Sequence, residues 1–387
     1  MARDSPGRAR LTAVRVLLVG GAGNSGRRTA AELLRFEEVD TLTIAARRAG
    51  AASRVAQLLG GRDGKVATLG LDITDQNGFV DAARHHDVVV SCAGPASEVE
   101  LPALRGCVEA GTPYVSLCDD YSATSASLDL DDAAKAAGVT VVSGCGLSPG
   151  ITNLLTAYAG RNLDRVEEIE VSVAYSLNDS PGDSTLFHLL HELSREAPYV
   201  SEFRAAQGKA GDLPRPVYFP EPVGWVETFT CGHPEPLTAP RVYSDLRAIR
   251  FRAGLTERAA MDALRVVAAS QVPGAKLDRL RGRLARASAR MLRSLPPRGA
   301  AWSAARVDVW GESDGRAEVV SLGVVDHIAN LVSLPLTHAA VSIGTRAVVR
   351  PGVGAVEEVF DPGPFLGALA RRGLRAARLT SEIFEAR

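Results

Sequence analysis

Residues 14–26 read VRVLLVGGAGNSG, and this stretch decides how the first third of the chain folds. Its first six residues are mostly apolar, which is typical of a strand buried on both faces of a parallel sheet. Glycines follow with the spacing Gly21-x-Gly23-x-x-Gly26, and a segment with helical spacing comes next. Glycines at these positions permit a tight turn, close approach of a pyrophosphate and close packing of helix on strand. The stretch therefore predicts a dinucleotide-binding turn, with Asn24 and Ser25 at the helix N-terminus facing the phosphates.

Further short apolar runs alternate with helical patterns after this turn. They cover 42–46, 66–69, 88–91, 114–117 and 139–143. Repeated alternation of buried strands and helices predicts an α/β domain, a doubly wound parallel sheet of the Rossmann type.

The pattern changes near residue 146, and the sequence predicts four parts. These are a flexible tail at 1–12, the Rossmann domain at 13–146, an α+β substrate and dimerisation domain at 147–336, and a C-terminal helical segment at 337–387 that returns to the Rossmann domain. In the second domain, 167–175 alternates as a half-exposed strand does, and Asp314-Gly315 indicates a hairpin. These features predict a mixed or antiparallel second sheet. Residues 183–208 are predicted to be helical, and 211–240, rich in proline and glycine, to be largely loop.

The residues after the second predicted strand indicate which dinucleotide is bound. An NAD site usually has an acidic residue there for the ribose 2′-hydroxyl. This chain has Arg47 and Arg48 instead, and guanidinium groups match the geometry of a 2′-phosphate. We therefore expect NADP(H) to be preferred over NAD(H). Strand ends further along place Asp72 near the adenine and Ala93-Gly94 beside the nicotinamide ribose.

Composition excludes several classes of protein. The formal net charge of −1 gives no reason to expect a nucleic-acid or membrane-surface partner. The five cysteines form no C-x-x-C pair, which disfavours a disulfide framework or a zinc site and suits a reducing cytoplasm. No apolar run reaches the length of a membrane span, and the first residues lack the apolar core of a signal peptide. We expect a cytoplasmic protein that acts on a small molecule and holds no metal.

Two motifs suggest other chemistry. Residues 146–150 read GLSPG and match the nucleophile elbow of α/β hydrolases, with Ser148 as nucleophile. The following residue is Pro149, which has no backbone N–H to donate to an oxyanion, so we expect no hydrolase. His188 and His191 lie three apart on a predicted helix, but their order with Glu192 is not that of zinc proteases. They are expected to be ordinary helix residues or to face the substrate.

Several stretches together resemble the saccharopine dehydrogenase (saccharopine reductase-like) family. They are GGAGNSG at 20–26, SCAGP at 91–95, EAGTPYV at 109–115, GLSPGITNLL at 146–155, and the ending between 351 and 373. The resemblance implies a Rossmann domain, a mixed α/β domain with substrate and dimer contacts, and a returning tail. It implies a homodimeric biosynthetic oxidoreductase. Many members have Tyr-Val-Asp where this chain has Tyr114-Val115-Ser116, a departure that bears on amino-acid substrates.

Members of this family form or oxidise C–N bonds, so the resemblance implies an NADP-dependent enzyme that reduces the C=N bond of a small metabolite. Reduction of C=C or C=O in a polyketide, lipid or natural-product pathway is an alternative, and a non-redox protein that retains the cofactor site is another. Strand ends and the second domain supply the candidate catalytic residues, which are Asp120, Tyr121, Cys145, Tyr175 and His188, with His191 beside them. Arg195 or Arg204 would anchor a substrate carboxylate.

Overall fold

The computed structural model describes residues 13–60, 64–179, 189–269 and 301–379 of the 387-residue chain. In chain order the strands are β1 Val14–Val19, β2 Val39–Ala46, β3 Val66–Gly70, β4 Val88–Ser91, β5 Tyr114–Ser116, β6 Thr140–Val142, β7 Arg165–Tyr175, β8 Glu196–Ser201, β9 Arg204–Lys209, β10 Arg215–Phe219, β11 Gly224–Thr230, β12 Ala248–Leu255, β13 Ser303–Ser313, β14 Arg316–Asp326, β15 Gly352–Gly354 and β16 Ala376–Arg378.

The helices follow in the same order. They are α1 Asn24–Leu33, α2 Ala49–Leu58, α3 Gln76–Arg84, α4 Ala96–Ala110, α5 Tyr121–Leu128, α6 Asp131–Ala136, α7 Ile151–Gly160, α8 Glu235–Val242, α9 Arg258–Ala269, α10 Ile328–Gly344, α11 Val356–Val359 and α12 Pro362–Arg371. A short helical stretch also covers 189–193.

The first sheet has seven strands in the order β15-β6-β5-β4-β1-β2-β3, and every neighbouring pair is parallel. The strand order from β3 to β6 is the one found in dinucleotide-binding Rossmann domains. The winding direction reverses between β1 and β4, so the carboxyl ends of these two strands mark the expected ligand crevice. The predicted α/β fold class is confirmed.

The apolar runs of the sequence form the centre of this sheet because helices cover both of its faces. Val16 and Leu18 of β1 face one buried cluster, while Leu17 and Val19 face another on the opposite side. Val16, Leu17 and Leu18 are fully buried. Burial on both faces explains why this strand is nearly continuous in apolar residues.

The second sheet has nine strands and is mixed, as the sequence predicts. Its main path runs β10-β11-β12-β7-β13-β14-β16, with β8 pairing to both β12 and β9. The β12–β7 pair is parallel, whereas β13 pairs with β7 and with β14 in antiparallel fashion. The hairpin predicted around Asp314-Gly315 joins β13 to β14, and both residues have positive φ, of 50° and 70°.

The last part of the described chain contacts both sheets. Helix α10 packs against α1, where Arg28 donates to Asn330 Oδ1 at 2.7 Å. Strand β15 extends the first sheet beside β6, and β16 pairs with β14 of the second. These contacts bring the N-terminus of α10 next to the glycine-rich turn.

Two secondary-structure predictions are wrong. In the described part of 183–208, the helical stretch ends at 193 and the β8–β9 hairpin follows. Its two-residue turn is Glu202-Phe203, with φ of 48° and 62°, and neither residue gives the glycine or asparagine signal of such a turn. Residues 211–240 contain β10, β11 and part of α8 rather than mainly loop, because prolines at strand starts and in the first helical turn are compatible with regular structure.

Candidate functional site

The glycine-rich turn joins β1 to α1 as the sequence predicts. Gly23 caps α1 in an extended conformation, no side chain caps the helix, and its first turn has no acidic residue. A Cβ on Gly26 would lie 2.3 Å from the carbonyl oxygen of Gly20, so only glycine permits this close packing. A Cβ on Gly23 would meet just one atom within 4 Å, Gly20 O at 3.3 Å, and space therefore remains for a phosphate. An N-terminus without a side-chain cap, at the positive end of the helix dipole, suits a pyrophosphate.

A cavity of about 600 Å³ starts at this turn and extends to the second sheet. Its lining from the first domain follows the carboxyl ends of β1, β4, β5 and β6, and the rest comes from the end of β7, the helical stretch at 189–193 and the start of α10. The lining residues are Asn24, Ser25, Arg27, Arg28, Ala31, Cys92, Ala93, Gly94, Pro95, Ala96, Ser97, Leu117, Asp119, Asp120, Gly146, Leu147, Ser148, Pro149, Tyr175, Asp179, His191, Ile328, Ala329 and Val332. Of the predicted cofactor residues, Asn24, Ser25, Ala93 and Gly94 thus meet in one cavity.

The predicted cofactor residues Arg47, Arg48 and Asp72 lie outside the cavity lining, at the ends of β2 and β3. Gly21, Gly23 and Gly26 form the glycine-rich turn itself and are also absent from the lining. Arg47 and Arg48 are exposed, and Arg48 caps the N-terminus of α2, whose first turn has no acidic residue. Asp72 is exposed and accepts hydrogen bonds from Thr74 N at 3.0 Å and Thr74 Oγ1 at 2.8 Å. These bonds, with a smaller contribution from Arg47, lower the pKa of Asp72. Two arginines beside a helix N-terminus form a cationic corner one strand away from the glycine turn.

Asp120 is the centre of a charged cluster on the cavity wall. It caps α5 by accepting from Ala123 N at 2.7 Å. Its Oδ2 lies 3.5 Å from His191 Nε2 and 3.4 Å from Arg195 Nη1. Burial alone would raise the pKa of Asp120, but the His191, Ala123 and Arg195 interactions lower it to about 2. Asp120 is therefore a carboxylate at neutral pH, held by partners from another part of the chain.

The structure places the other predicted catalytic residues differently. Tyr175 lines the cavity at the end of β7, and its pKa is raised by burial and by nearby carboxylates. Tyr121 is absent from the cavity lining and packs under the Arg195 guanidinium at 4.7 Å. Cys145 is fully buried in the core, is absent from the lining, and has a pKa raised by burial. His188 lies outside the described residues.

The structure also locates Arg195 and Arg204, the predicted anchors for a substrate carboxylate. Arg195 is engaged by Asp120, by His191 Nε2 at 2.9 Å and by Ser122 Oγ at 2.7 Å. Arg204 is exposed at the start of β9 and is absent from the cavity lining. Arg195 is therefore already bound by protein groups, and Arg204 does not line the cavity.

Among the residues that the structure describes, one cluster has the ligand types of a metal site. Donor atoms of Asp120, His191 and Glu192 all lie within 4.8 Å of one another. The Arg195 guanidinium, 2.9 Å from His191 Nε2, already supplies a positive charge at this place and would repel a metal ion. Glu192 is buried, its oxygens lack a hydrogen-bond partner, and burial next to Asp120 raises its pKa.

Ser148 has partners that sequence reasoning missed. Its hydroxyl donates to Glu235 Oε1, and the other oxygen of Glu235 contacts His233 Nδ1. The serine thus meets a carboxylate rather than an imidazole, which differs from the Ser–His–acid order of a hydrolase triad. Ser148 is therefore hydrogen-bonded to Glu235 and not to the histidine that a hydrolase triad would place there, in agreement with the sequence argument from Pro149.

Ser116, which stands where many members of the resembled family have aspartate, takes part in a buried hydrogen-bond network. Its hydroxyl donates to Glu100 Oε1 at 2.7 Å, and Tyr114 and Ser143 donate to the same carboxyl at 2.9 and 3.0 Å. All four side chains are buried, and burial raises the pKa of Glu100. Ser116 belongs to this network beneath the strand ends and is not part of the cavity lining.

The two-sheet architecture and the glycine-rich turn between β1 and α1 are typical of a dinucleotide-binding fold. Residues 16–142 of the 387-residue chain match the family model of the saccharopine dehydrogenase NADP binding domain. The structure as a whole is similar to saccharopine dehydrogenase (L-Glu forming) from Saccharomyces cerevisiae, with a TM-score of 0.66, 16% identity, and coverage of 95% of this chain and 100% of the other. The resemblance identified from the sequence is confirmed.

Curated relatives match over part of their length. Carboxyaminopropylagmatine dehydrogenase from Synechocystis is 24% identical over 181 residues, 44% of this chain and 44% of the relative. Trans-acting enoyl reductase from Mycobacterium leprae is 27% identical over 157 residues, 40% of this chain and 38% of the relative. A solved amine dehydrogenase from Mycobacterium smegmatis has a TM-score of 0.50 and 15% identity, covering 91% of this chain and 98% of the other. The matched regions thus span less than half of either curated relative.

Within the described ranges, no helix combines the length and apolar character needed to cross a bilayer.

Proposed function

We propose that this protein is an NADP-dependent oxidoreductase that reduces a C=N bond of a small metabolite in the cavity between its two sheets. The observation that carries the proposal is the continuity of one cavity from the glycine turn to polar side chains of the second domain. NADPH, when bound, supplies a hydride. The chain itself supplies the phosphate cradle, the orientation of the substrate and a site partly shielded from water.

Charge distribution along the cavity supports an imine as the substrate. Arg27 and Arg28 lie on α1, beside the cradle, where they would neutralise phosphates. The lining also has three carboxylates, Asp119, Asp120 and Asp179. A carboxylate near the reacting atoms stabilises the positive charge of a protonated imine or of the product ammonium. Tyr175 and His191 line the same cavity and would orient the substrate by hydrogen bonds.

Selection of NADP(H) over NAD(H) is proposed from the corner at Arg47 and Arg48. Both guanidinium groups are exposed, and the N-terminus of α2 adds the positive end of its dipole. A 2′-phosphate would be bound by charge-assisted hydrogen bonds at this corner, whereas a 2′-hydroxyl would gain little from it.

A second candidate is the reduction of C=C or C=O, favoured by the similarity to a trans-acting enoyl reductase. A cytoplasmic location and a homodimer remain parts of the proposal. The five cysteines are all free, which supports a reducing compartment.

The test combines cofactor titration with turnover. We expect the intrinsic fluorescence of NADPH to change on binding, with weaker binding of NADH. Oxidation of NADPH is then followed at 340 nm with panels of cyclic imines, amine–aldehyde mixtures, enones and ketones (the wavelength is about that of reduced nicotinamide absorption). Turnover of imines supports the first candidate, and turnover of enones or ketones alone supports the second. Tight NADPH binding without turnover would favour a non-redox role, and no binding of either dinucleotide would exclude the proposal.

A further inference from the structure

Ser148 is a cavity residue with a buried acid–base pair behind it. It lies between β6 and α7, lines the cavity and is 8% exposed. Glu235 and His233 behind it are each 2% exposed, and neither lines the cavity. The hydroxyl of Ser148 therefore connects the cavity to two titratable side chains that the substrate does not reach.

The contacts form a continuous hydrogen-bonded chain. Ser148 Oγ donates to Glu235 Oε1, while His233 Nδ1 is hydrogen-bonded to Glu235 Oε2. Thr152 Oγ1, one turn along α7, donates to Glu235 Oε1 at 2.9 Å and lies 3.1 Å from Ser148 Oγ. His233 is fixed by stacking on Phe251, with ring centroids 3.8 Å apart and planes at 10°. Each polar side chain from the cavity to His233 is thus held in position by a neighbour.

The pKa of Glu235 reflects opposing effects of burial and of its hydrogen-bond partners. Burial alone would raise the pKa of Glu235, but His233 and Ser148 lower it below its usual value. Two other titratable groups face Glu235, namely Tyr175 and Glu357. Polar pairs that are buried contribute little net stability compared with apolar residues of similar volume, so stability alone is a poor explanation for placing Glu235 and His233 behind a cavity wall.

We propose that Ser148 is the catalytic residue that exchanges a proton with the substrate, and that Glu235 and His233 are positioning residues that hold this proton as a pair. The proposal rests on the reductase function proposed above. It does not depend on whether the acceptor is a neutral imine, a carbonyl or an enone, since each takes up one proton as well as a hydride.

The step is a proton transfer with no change of oxidation state in the protein. In the direction of reduction, the Oγ–H bond of Ser148 breaks as that proton bonds to the substrate. Ser148 Oγ takes a proton in turn from Glu235 Oε1, in the protonated form of the pair in which this oxygen donates to Ser148 instead of accepting from it as in the structure. The Glu235–His233 pair thereby goes from carrying one net proton to a carboxylate and a neutral imidazole. A proton from solvent restores the pair, and oxidation runs through the same steps in reverse.

The first test uses whichever compound of the panel the full-length protein turns over. Because general acid–base catalysis contributes roughly 10²–10⁴-fold, we expect Ser148→Ala to lower kcat by at least about 100-fold. NADPH affinity should be little changed. Ser148→Thr should restore most of the rate, since it restores a hydroxyl. Glu235→Gln keeps the shape but cannot hold the proton, and it should lower kcat to a similar degree.

A matched control is Thr156→Ala on the same helix. Its hydroxyl is buried and donates to the backbone carbonyl of Thr152 at 2.9 Å. It takes no part in the hydrogen bonds that connect Ser148, Glu235 and His233. We expect normal turnover from this variant. Unchanged kcat in Ser148→Ala, or failure of Ser148→Thr to rescue it, would overturn the proposal.

The second test needs no substrate. Hydrogen exchange of the His233 ring N–H is measured by nitrogen-15 NMR on histidine-labelled full-length protein, with the resonance assigned through His233→Gln. If Ser148 is the exit for the proton, exchange in Ser148→Ala should be at least about tenfold slower than in wild type and in Thr156→Ala (a tenfold change is about 1.4 kcal/mol in a barrier). Equal exchange rates in all three would overturn the proposal. Failure of the reductase function shows separately, as absence of NADPH binding and turnover in wild type.

Discussion

The two sides of the cavity are built by different means. The cradle is built from the backbone of one continuous segment, 20–26, and the space it offers exists because glycine lacks a Cβ. The opposite side is built from side chains that distant segments hold in place, as Arg195 holds Asp120 across 75 residues. A backbone site of the first kind fails when atoms are added. A site of the second kind fails when a charge or a hydrogen bond is removed.

The largest effect should come from adding one carbon to the cradle. In Gly26→Ala the new Cβ would lie 2.3 Å from Gly20 O, and α1 must move away from the turn. We expect NADPH affinity to fall by about 100-fold, which corresponds to about 3 kcal/mol, the upper part of the range for overpacking. Fluorescence titration measures it. Gly367→Ala is the control, because its Cβ would meet only Arg371 at 3.7 Å, and equal affinities in the two variants would contradict the prediction.

The cationic corner should show a smaller effect that depends on the dinucleotide. Replacing Arg47 and Arg48 together by serine should weaken NADPH binding about 10- to 100-fold, because charged hydrogen bonds contribute about 1.5–3 kcal/mol. NADH binding should not change. A matched variant replaces Arg84 and Arg105, which are exposed on α3 and α4. A parallel loss of affinity for both dinucleotides would show that the corner does not read the 2′-phosphate.

The third prediction concerns the buried carboxyl of Glu357, on the side of the cavity where we propose that the substrate binds. Glu357 accepts from Asn153 at 2.9 Å, but its buried Oε2 lacks a partner, and burial raises its pKa to about 7. The folded state therefore binds this proton more tightly than the unfolded chain. The stabilisation is present below the unfolded pKa and is lost as pH rises through about 7.

Glu357→Gln should consequently stabilise the protein by about 1–2 kcal/mol at pH 8 and have little effect at pH 4. Urea unfolding at the two pH values measures the difference. Glu109→Gln, at a residue whose side chain is 64% exposed, should have no such pH dependence. A stabilisation of Glu357→Gln that is equal at both pH values would argue against ionisation of Glu357 as the cause.

The smallest effect is expected at Asp120. Its pKa of about 2 means that its contribution to stability is present above the unfolded pKa and is lost as pH falls through about 2. Asp120→Asn keeps a good helix cap but removes the charge facing Arg195, so we expect about 1 kcal/mol of destabilisation at neutral pH. The difference from wild type should shrink towards pH 2. Chemical denaturation with a pH series checks this, and a constant difference would implicate the cap instead.

Sequence reasoning succeeded where the physical signal is local. The glycine turn, the strands beside it and the Asp314-Gly315 hairpin each involve neighbouring residues whose backbone needs are visible in the sequence. The β8–β9 hairpin has the same kind of turn at Glu202-Phe203, where residues with side chains adopt positive φ, so no signal was available. A β-hairpin was thus predictable from the sequence at Asp314-Gly315 but not at Glu202-Phe203.

The candidate site follows the same division. The residues of the glycine-rich turn were predicted to lie together because they are consecutive, and cavity residues at strand ends were predicted because parallel strands end at one edge. The partner of Ser148 is Glu235, 87 residues away, and no spacing rule connects them. Cys145 was placed correctly after its strand, but whether a side chain there points to the cavity or to the core depends on packing that the sequence does not display.

The seventh strand of the first sheet has a consequence for synthesis on the ribosome. Strand β15 docks beside β6, and Arg350 N bonds Thr140 Oγ1 across 210 residues. Protein synthesis adds about 5–20 residues per second, so the edge of β6 remains unpaired for roughly 10–40 seconds before β15 is translated. An unpaired strand edge is a template for other chains during that interval. Nascent chains of this protein therefore pass through a stage in which the dinucleotide domain is nearly complete but still able to pair with the wrong partner.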